Sequence, residues 1–268
     1  MRRRPGIAGI GAIATLTCGW IVTANIASGL PSTHSPFFPE DDYTRPMNTC
    51  DPVQRVSENM HPASGSVMFT AKNGPTLTFT MSTVLEPYTE QYFAQVTQGS
   101  REVTPRVQVP LVSTVLFLLP TEAICEDLND DGITDFVTDH SKHGNGLGAS
   151  FYDRLVVLSS SAGGYRFWIL NNMNPSPEDF VGFGEIEPIV MVTTTFANSE
   201  GAVPHSYYVY DLWSFRDGEV VSANDLDTRF PKWVWMTVAE NHMPASSLSL
   251  EEKQRMLDRR AATEIPTR

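Results

Sequence analysis

Between Asp127 and Asp135 the chain reads Asp127-Leu128-Asn129-Asp130-Asp131-Gly132-Ile133-Thr134-Asp135, and the apolar pair Phe136-Val137 follows at once. Side-chain oxygens at alternate positions, from Asp127, Asn129 and Asp131, can converge on one hard cation if the backbone turns sharply. Gly132 allows that turn because it has no Cβ to clash. The Ile133 carbonyl and the Asp135 carboxylate are then placed to close an oxygen cage, so the spacing predicts a Ca2+ site built from Asp127, Asn129, Asp131, Ile133 and Asp135. The twelfth position of the loop is Thr138 rather than a bidentate acid, and a strand is expected after Asp135. Both features depart from a helix-loop-helix calcium site.

A second group follows immediately, Asp139-His140-Ser141-Lys142-His143, leading into Gly144-Asn145-Gly146-Leu147-Gly148. Imidazole titrates near neutrality, so two histidines beside a carboxylate could bind zinc or move protons. A third ligand or a nucleophile would have to come from elsewhere, and Ser141 lacks the nucleophile-elbow context. The glycine spacing is wrong for a dinucleotide fingerprint, and the phosphate-loop lysine is missing. The group reads first as a polar, Gly-rich loop after a strand, and no catalytic residue is assigned. Trp233 and Trp235, two apart, share one face of an expected strand. They read as core, with stacking on a sugar or a partner as the exposed alternative.

The elements that must position these residues have a period of two. Leu77, Phe79 and Met81 alternate with Thr76, Thr78 and Thr80, a strand with one wet face. Asn73-Gly74, Ala162-Gly163-Gly164 and Asp217-Gly218 each separate two strand-like runs, which gives three hairpins. Apolar runs over 112–119 and 189–192 suit strands buried on both faces. Residues 88–96 fit a strand or a helix. The fold class is therefore mainly β, a single antiparallel β-rich domain of hairpins or a meander, with a partial propeller-like arrangement left open. Ser249-Leu250-Glu251-Glu252 is a capping box that starts a short C-terminal helix. Asn224-Asp225-Leu226-Asp227 has the acids of a second loop without its glycine, so no repeat of the first loop is visible.

Four segments follow from composition: residues 1–27, 28–58, 59–244 and 245–268. The first has three arginines and then no Asp, Glu, Lys or Arg until Glu40. It reads as a cleaved signal peptide, or as an uncleaved membrane anchor. Residues 28–58 are rich in Pro, Ser and Thr and read as a tether, residues 59–244 as the β-rich domain, and 245–268 as a helix and tail. Cleavage after residue 27 takes net charge from −12 to −15, since three arginines and no acid leave. Such a field repels nucleic acid and anionic lipid and attracts divalent cations. Two cysteines remain, Cys50 and Cys125, and in an oxidising compartment they are expected to pair.

The acidic loop resembles the Asp-x-Asn-x-Asp-Gly-x-x-Asp calcium loop of the FG-GAP repeats of integrin-like propellers and of VCBS-type repeats. The longer stretch from Asp127 to Trp235, with His205-Ser206-Tyr207-Tyr208-Val209-Tyr210 and Phe230-Pro231-Lys232-Trp233, is similar to exported bacterial proteins known by such a loop. The resemblance implies fold and calcium binding and no assigned activity. The expected role is a non-enzymatic calcium-binding domain, periplasmic or secreted, or anchored with the domain outside the cytoplasm. Its partner would be an envelope protein or a glycan. Contact with membrane would come only through an uncleaved N-terminal segment. The alternative is a secreted hydrolase with a site around His140 and His143.

Overall fold

Alternation of large apolar and short polar side chains builds almost every element of the computed structural model. It describes residues 47–56, 64–72, 74–85, 88–111, 119–142, 150–181, 189–198, 206–226, 230–235, 249–251, 253 and 262–267. Leu77, Phe79 and Met81 are buried while Thr76, Thr78 and Thr80 stay half-exposed, as the alternation requires. The architecture is mostly β, in three antiparallel sheets.

The first sheet holds β2 (Pro52–Val56), β3 (Ser64–Thr70), β4 (Thr76–Leu85) and β5 (Tyr88–Gln98), paired in chain order. Two short strands, β6 (Arg101–Glu102) and β7 (Val107–Val109), share the far edge of β5. The middle sheet runs β1 (Thr49–Cys50), β8 (Ala123–Glu126), β9 (Asp135–Ser141), β10 (Phe151–Ser159), β11 (Tyr165–Met173) and β17 (Thr263–Ile265). The third holds β12 (Phe180–Val181), β13 (Val190–Asn198), β14 (Ser206–Arg216) and β15 (Glu219–Ser222), with β16 (Lys232–Trp235) on the other half of the β14 edge. Each sheet thus carries a four-stranded up-and-down meander, and the three meanders follow one another along the chain.

The middle sheet has no wet face. Phe136, Leu155, Val157 and Phe167 project into a core shared with Phe69, Leu77, Phe79 and Val96 of the first sheet. Val137, Val156, Leu158 and Leu170 project the other way, against Phe180, Met191, Trp213 and Phe215 of the third. This explains why Leu155-Val156-Val157-Leu158 is an unbroken apolar run. Its two edges are closed by the most distant described strands, β1 next to β8 and β17 next to β11. Cys50 and Cys125 form a disulfide that ties β1 to β8.

The three hairpins stand where the turn residues place them. Asp217 and Gly218 both take positive φ, 47° and 77°, the left-handed pair that a tight two-residue hairpin requires. Residues 88–98 resolve as strand. The segment boundaries differ in two places. β1 and β2 lie inside the Pro-rich stretch read as tether, because Pro52 sits at the first residue of an edge strand, where no donor is needed. Residues 263–265, read as tail, form β17, since Ile265 reaches the first interlayer core. Of the C-terminal helix only Leu250, Glu251 and Lys253 are described as helical, with Lys253 N donating to Ser249 O at 3.0 Å. The N-terminal segment, His143, the glycines at 144, 146 and 148 and residues 112–118 lie outside the described residues. Among those described, no helix is long and apolar enough to cross a membrane.

Candidate functional site

The acidic loop joins β8 to β9 and is shaped by its own side chains. Asp127 accepts from the N–H groups of Asp131 at 3.0 Å and Gly132 at 2.7 Å. Asn129 Oδ1 accepts from Asp131 N at 3.2 Å, and Asp131 Oδ1 from Ile133 N at 2.8 Å. Each alternate residue therefore holds the backbone two to five positions ahead and curls the chain around a common centre. Two left-handed positions make the curl, Asp130 at φ 60° and Gly132 at φ 80°. The Ile133 side chain points outward, 45% exposed, so that residue has only its backbone to offer the loop interior.

Asp135 behaves differently from the other acids. It is fully buried at the start of β9 and accepts from Leu128 N at 2.8 Å and Ser159 N at 2.7 Å. Burial pushes its carboxyl up to about 7, against the pull of these donors, and nearby Asp131 adds to the rise. Its first task is thus to lock the loop to the end of β10.

Ser159 is the residue that local sequence gave no reason to select. It ends the apolar run of β10, and only the β9–β10 register brings it beneath the loop. Its carbonyl accepts from Asn129 Nδ2 at 2.9 Å, which turns the amide oxygen inward. Its hydroxyl lies 2.7 Å from Asp131 Oδ2 and 2.8 Å from Asp135 Oδ1. A hydroxyl has one proton to give and can satisfy only one of these carboxylates. The other short oxygen–oxygen contact requires a proton on the acid or a cation beside it. The 217–218 turn packs behind this point. A Cβ on Gly218 would meet Ser160 Cβ at 2.9 Å and Ser159 O at 3.2 Å, while Asp217 accepts from Ser161 N at 2.8 Å.

The fit of the loop to a hard cation rests on these contacts. Asp127, Asn129 and Asp131 are held in place by backbone N–H groups, and none of the ion pairs among the described residues reaches them. No three His, Cys, Asp or Glu side chains among the described residues are grouped tightly enough to hold a metal by themselves. A calcium shell here would draw on the Asn129 amide, the Ile133 carbonyl and water as well as on carboxylates, as such shells commonly do.

His140 belongs to strand β9 and not to a loop. It is 6% exposed, its ring lies tilted against Phe79 with centroids 4.6 Å apart, and a ring nitrogen bonds Thr138 Oγ1 at 2.8 Å. Burial lowers its pKa to about 4, so the ring is neutral at physiological pH. Asn224, from the second acidic run, works structurally: its Oδ1 accepts from Leu212 N at 2.8 Å and its Nδ2 donates to Asp211 at 3.1 Å. Trp213 is packed as core, Trp168 and Trp233 are half-buried, and the side chain of Trp235 lies outside what the structure describes. Trp213 Nε1 donates to Thr193 Oγ1 at 2.7 Å, Trp168 Nε1 to Gly218 O at 2.8 Å, and Trp233 meets Tyr207 edge-on at 5.6 Å.

One more cluster of charge was not legible in advance. Arg154 of β10, fully buried, lies directly across from Asp139 of β9 and bonds it with Nε at 2.7 Å and Nη2 at 2.9 Å. Its Nη1 stands 2.9 Å from Asp179, which also accepts from Asn172 Nδ2 at 3.1 Å and Ser176 N at 3.0 Å. That Nη1 contact is an ion contact without hydrogen-bond alignment. Burial alone would disfavour the guanidinium charge; Asp139 and Asp179 outweigh it and keep the group charged. Burial pushes the Asp179 carboxyl up to about 6, with Arg154 pulling it down.

No protein-family model, curated protein or solved structure matches this chain, so the FG-GAP/VCBS resemblance rests on the residues of the loop alone.

Proposed function

We propose that the chain is an exported calcium-binding β-domain with a structural or partner-binding role in the cell envelope or outside the cell. The observation that carries the reading is the loop 127–135. Asp127, Asn129 and Asp131, the alternate oxygen-bearing positions of the loop, all accept from the loop's own N–H groups, which folds the nine residues into a tight turn. The short Asp131–Ser159–Asp135 contacts supply the second reason, since they lack one positive charge or proton. Bound calcium would supply that charge and staple the β8–β9 connection to the β10–β11 hairpin. The Cys50–Cys125 disulfide suits a compartment outside the cytoplasm. Catalysis through His140 has no support in its geometry, because the ring is sealed under Phe79. An envelope protein or a glycan remains the proposed partner class.

Thermal melts of the mature domain with calcium and with chelator test the reading. An extracellular-type site with a dissociation constant of ~0.1 mM adds about 1.4 kcal/mol at ~1 mM calcium, hence about 3–5 °C in Tm. Asp131→Ala should abolish that increase. Equal melting points in calcium and chelator would remove calcium from the function.

A further inference from the structure

A cavity of about 500 Å³ opens between the β1-β8-β9-β10 part of the middle sheet and the segment after β11, within the size range of small-molecule sites. Thr49 of β1, Asp139 of β9 and Tyr152 of β10 line one side, Thr121 and Glu122 stand at the entrance to β8, and Ser176 faces them from the connection to β12. No residue of the acidic loop 127–135 lines it.

Two properties set the chemistry of a ligand. The first is charge. Arg154 is shared by Asp139 and Asp179, so the buried network carries one net negative charge, and Glu122 adds another. None of the described lining residues is basic. The second is preorganisation. Burying an arginine and two aspartates costs more than packing hydrocarbon in the same volume, so stability alone does not explain the network. What it achieves is a carboxylate with fixed orientation. Arg154 grips both oxygens of Asp139 from the buried side, while the Asp139 side chain keeps 29% exposure on the cavity side. A rigid acid needs little ordering when it binds, which is where small ligands lose affinity.

We propose that this cavity is a binding site for a small organic cation, which presents an ammonium group to Asp139 and Glu122 and its polar body to the hydroxyl groups of Thr49, Thr121, Tyr152 and Ser176. An anion is disfavoured by both carboxylates. A neutral sugar would find hydroxyl partners and leave the negative charge uncompensated. A bare metal ion occupies a small fraction of such a volume.

Calorimetric titration of the full chain with putrescine, glucosamine and glucose tests the proposal. Both amines should bind at one site, and glucose should give no saturable heat on the order of 10 mM, where even a millimolar site fills. Glu122→Gln, at an exposed position, should weaken both amines by about threefold to tenfold, and Thr121→Trp should block binding by filling the mouth. Asp139→Asn should abolish it; because that change also disturbs Arg154, the two exposed variants decide the matter if Asp139→Asn does not fold. Absence of binding by either amine overturns the proposal. So does amine binding that survives both Glu122→Gln and Thr121→Trp. Glucose binding as tightly as glucosamine would also overturn it, by making the cavity a neutral polyol site.

Discussion

Strands β9 and β10 carry two polar clusters that solve opposite problems. Near Asp135 and Ser159 the acids come from one run of nine residues, range from exposed Asp131 to fully buried Asp135, and have no basic partner among the described ion pairs. Near Asp139 and Arg154 the charges come from β9, β10 and the segment before β12, and a buried cation already answers two of the acids. The contrast separates a cluster with no basic side chain among its described partners from one that contains its own cation. On the proposed calcium reading, the first responds to the concentration of an ion in the surroundings. The second is part of the fold at every ion concentration.

Removing the internal cation should give the largest effect. Arg154→Met leaves Asp139 and Asp179 without their partner and should cost about 3–5 kcal/mol, read from urea unfolding in chelator. Arg154→Met combined with Asp179→Leu should recover roughly half or more, since apolar replacement of a buried ionic network is often nearly neutral. If the single variant loses under about 1 kcal/mol, the network is not acting as a compensated unit.

The buried histidine beside this cluster gives the next effect, about 2–3 kcal/mol. The folded pKa of His140 is about 4, below the free value of 6.5, so the unfolded chain takes up the proton first. Its contribution is complete above pH 6.5 and is lost as pH falls toward 4. Asp135 has the opposite sign: its value rises from 3.8 to about 7, so the stability tied to its protonation is lost as pH rises through that window. Comparing stability at pH 4.5 and pH 7 in the parent and in His140→Gln isolates the histidine. The parent should lose more than the variant on acidification.

The smallest effect belongs to Ser159→Ala. Without the hydroxyl the loop should lose about 1 kcal/mol in chelator, the usual worth of one hydrogen bond. Calcium should then restore less stability to the variant than to the parent. An identical calcium increment in both would show that Ser159 sets the shape of the loop without bearing on the ion.

The two clusters also differ in how far they could be read beforehand. A nine-residue loop makes its own turns, so Asp127, Asn129, Asp131 and Gly132 announce its shape through local spacing. Strand periodicity was equally local, which made β3, β4 and the three hairpins legible. Ser159 and Arg154 carry no such signal, because their partners are 24 and 15 residues away and depend on strand register. His140 was misplaced for the same reason. A glycine-rich neighbourhood suggested a loop, whereas the Phe79 ring that covers it comes from another sheet. Proline density hid β1 and β2, since it argues against a central strand and is neutral for the first residue of an edge strand.

Closure of the middle sheet by β17 has a consequence for synthesis. Ile265 of β17 pairs with Phe167 of β11, nearly a hundred positions earlier in the chain. While the chain emerges from a ribosome or a translocation pore, the outer edge of β11 stays open until β17 appears. An open edge offers unpaired N–H and C=O groups to any other strand nearby. Completion of this sheet therefore waits for β17, and deleting residues 263–265 should leave the β11 edge open and raise self-association, read by sedimentation.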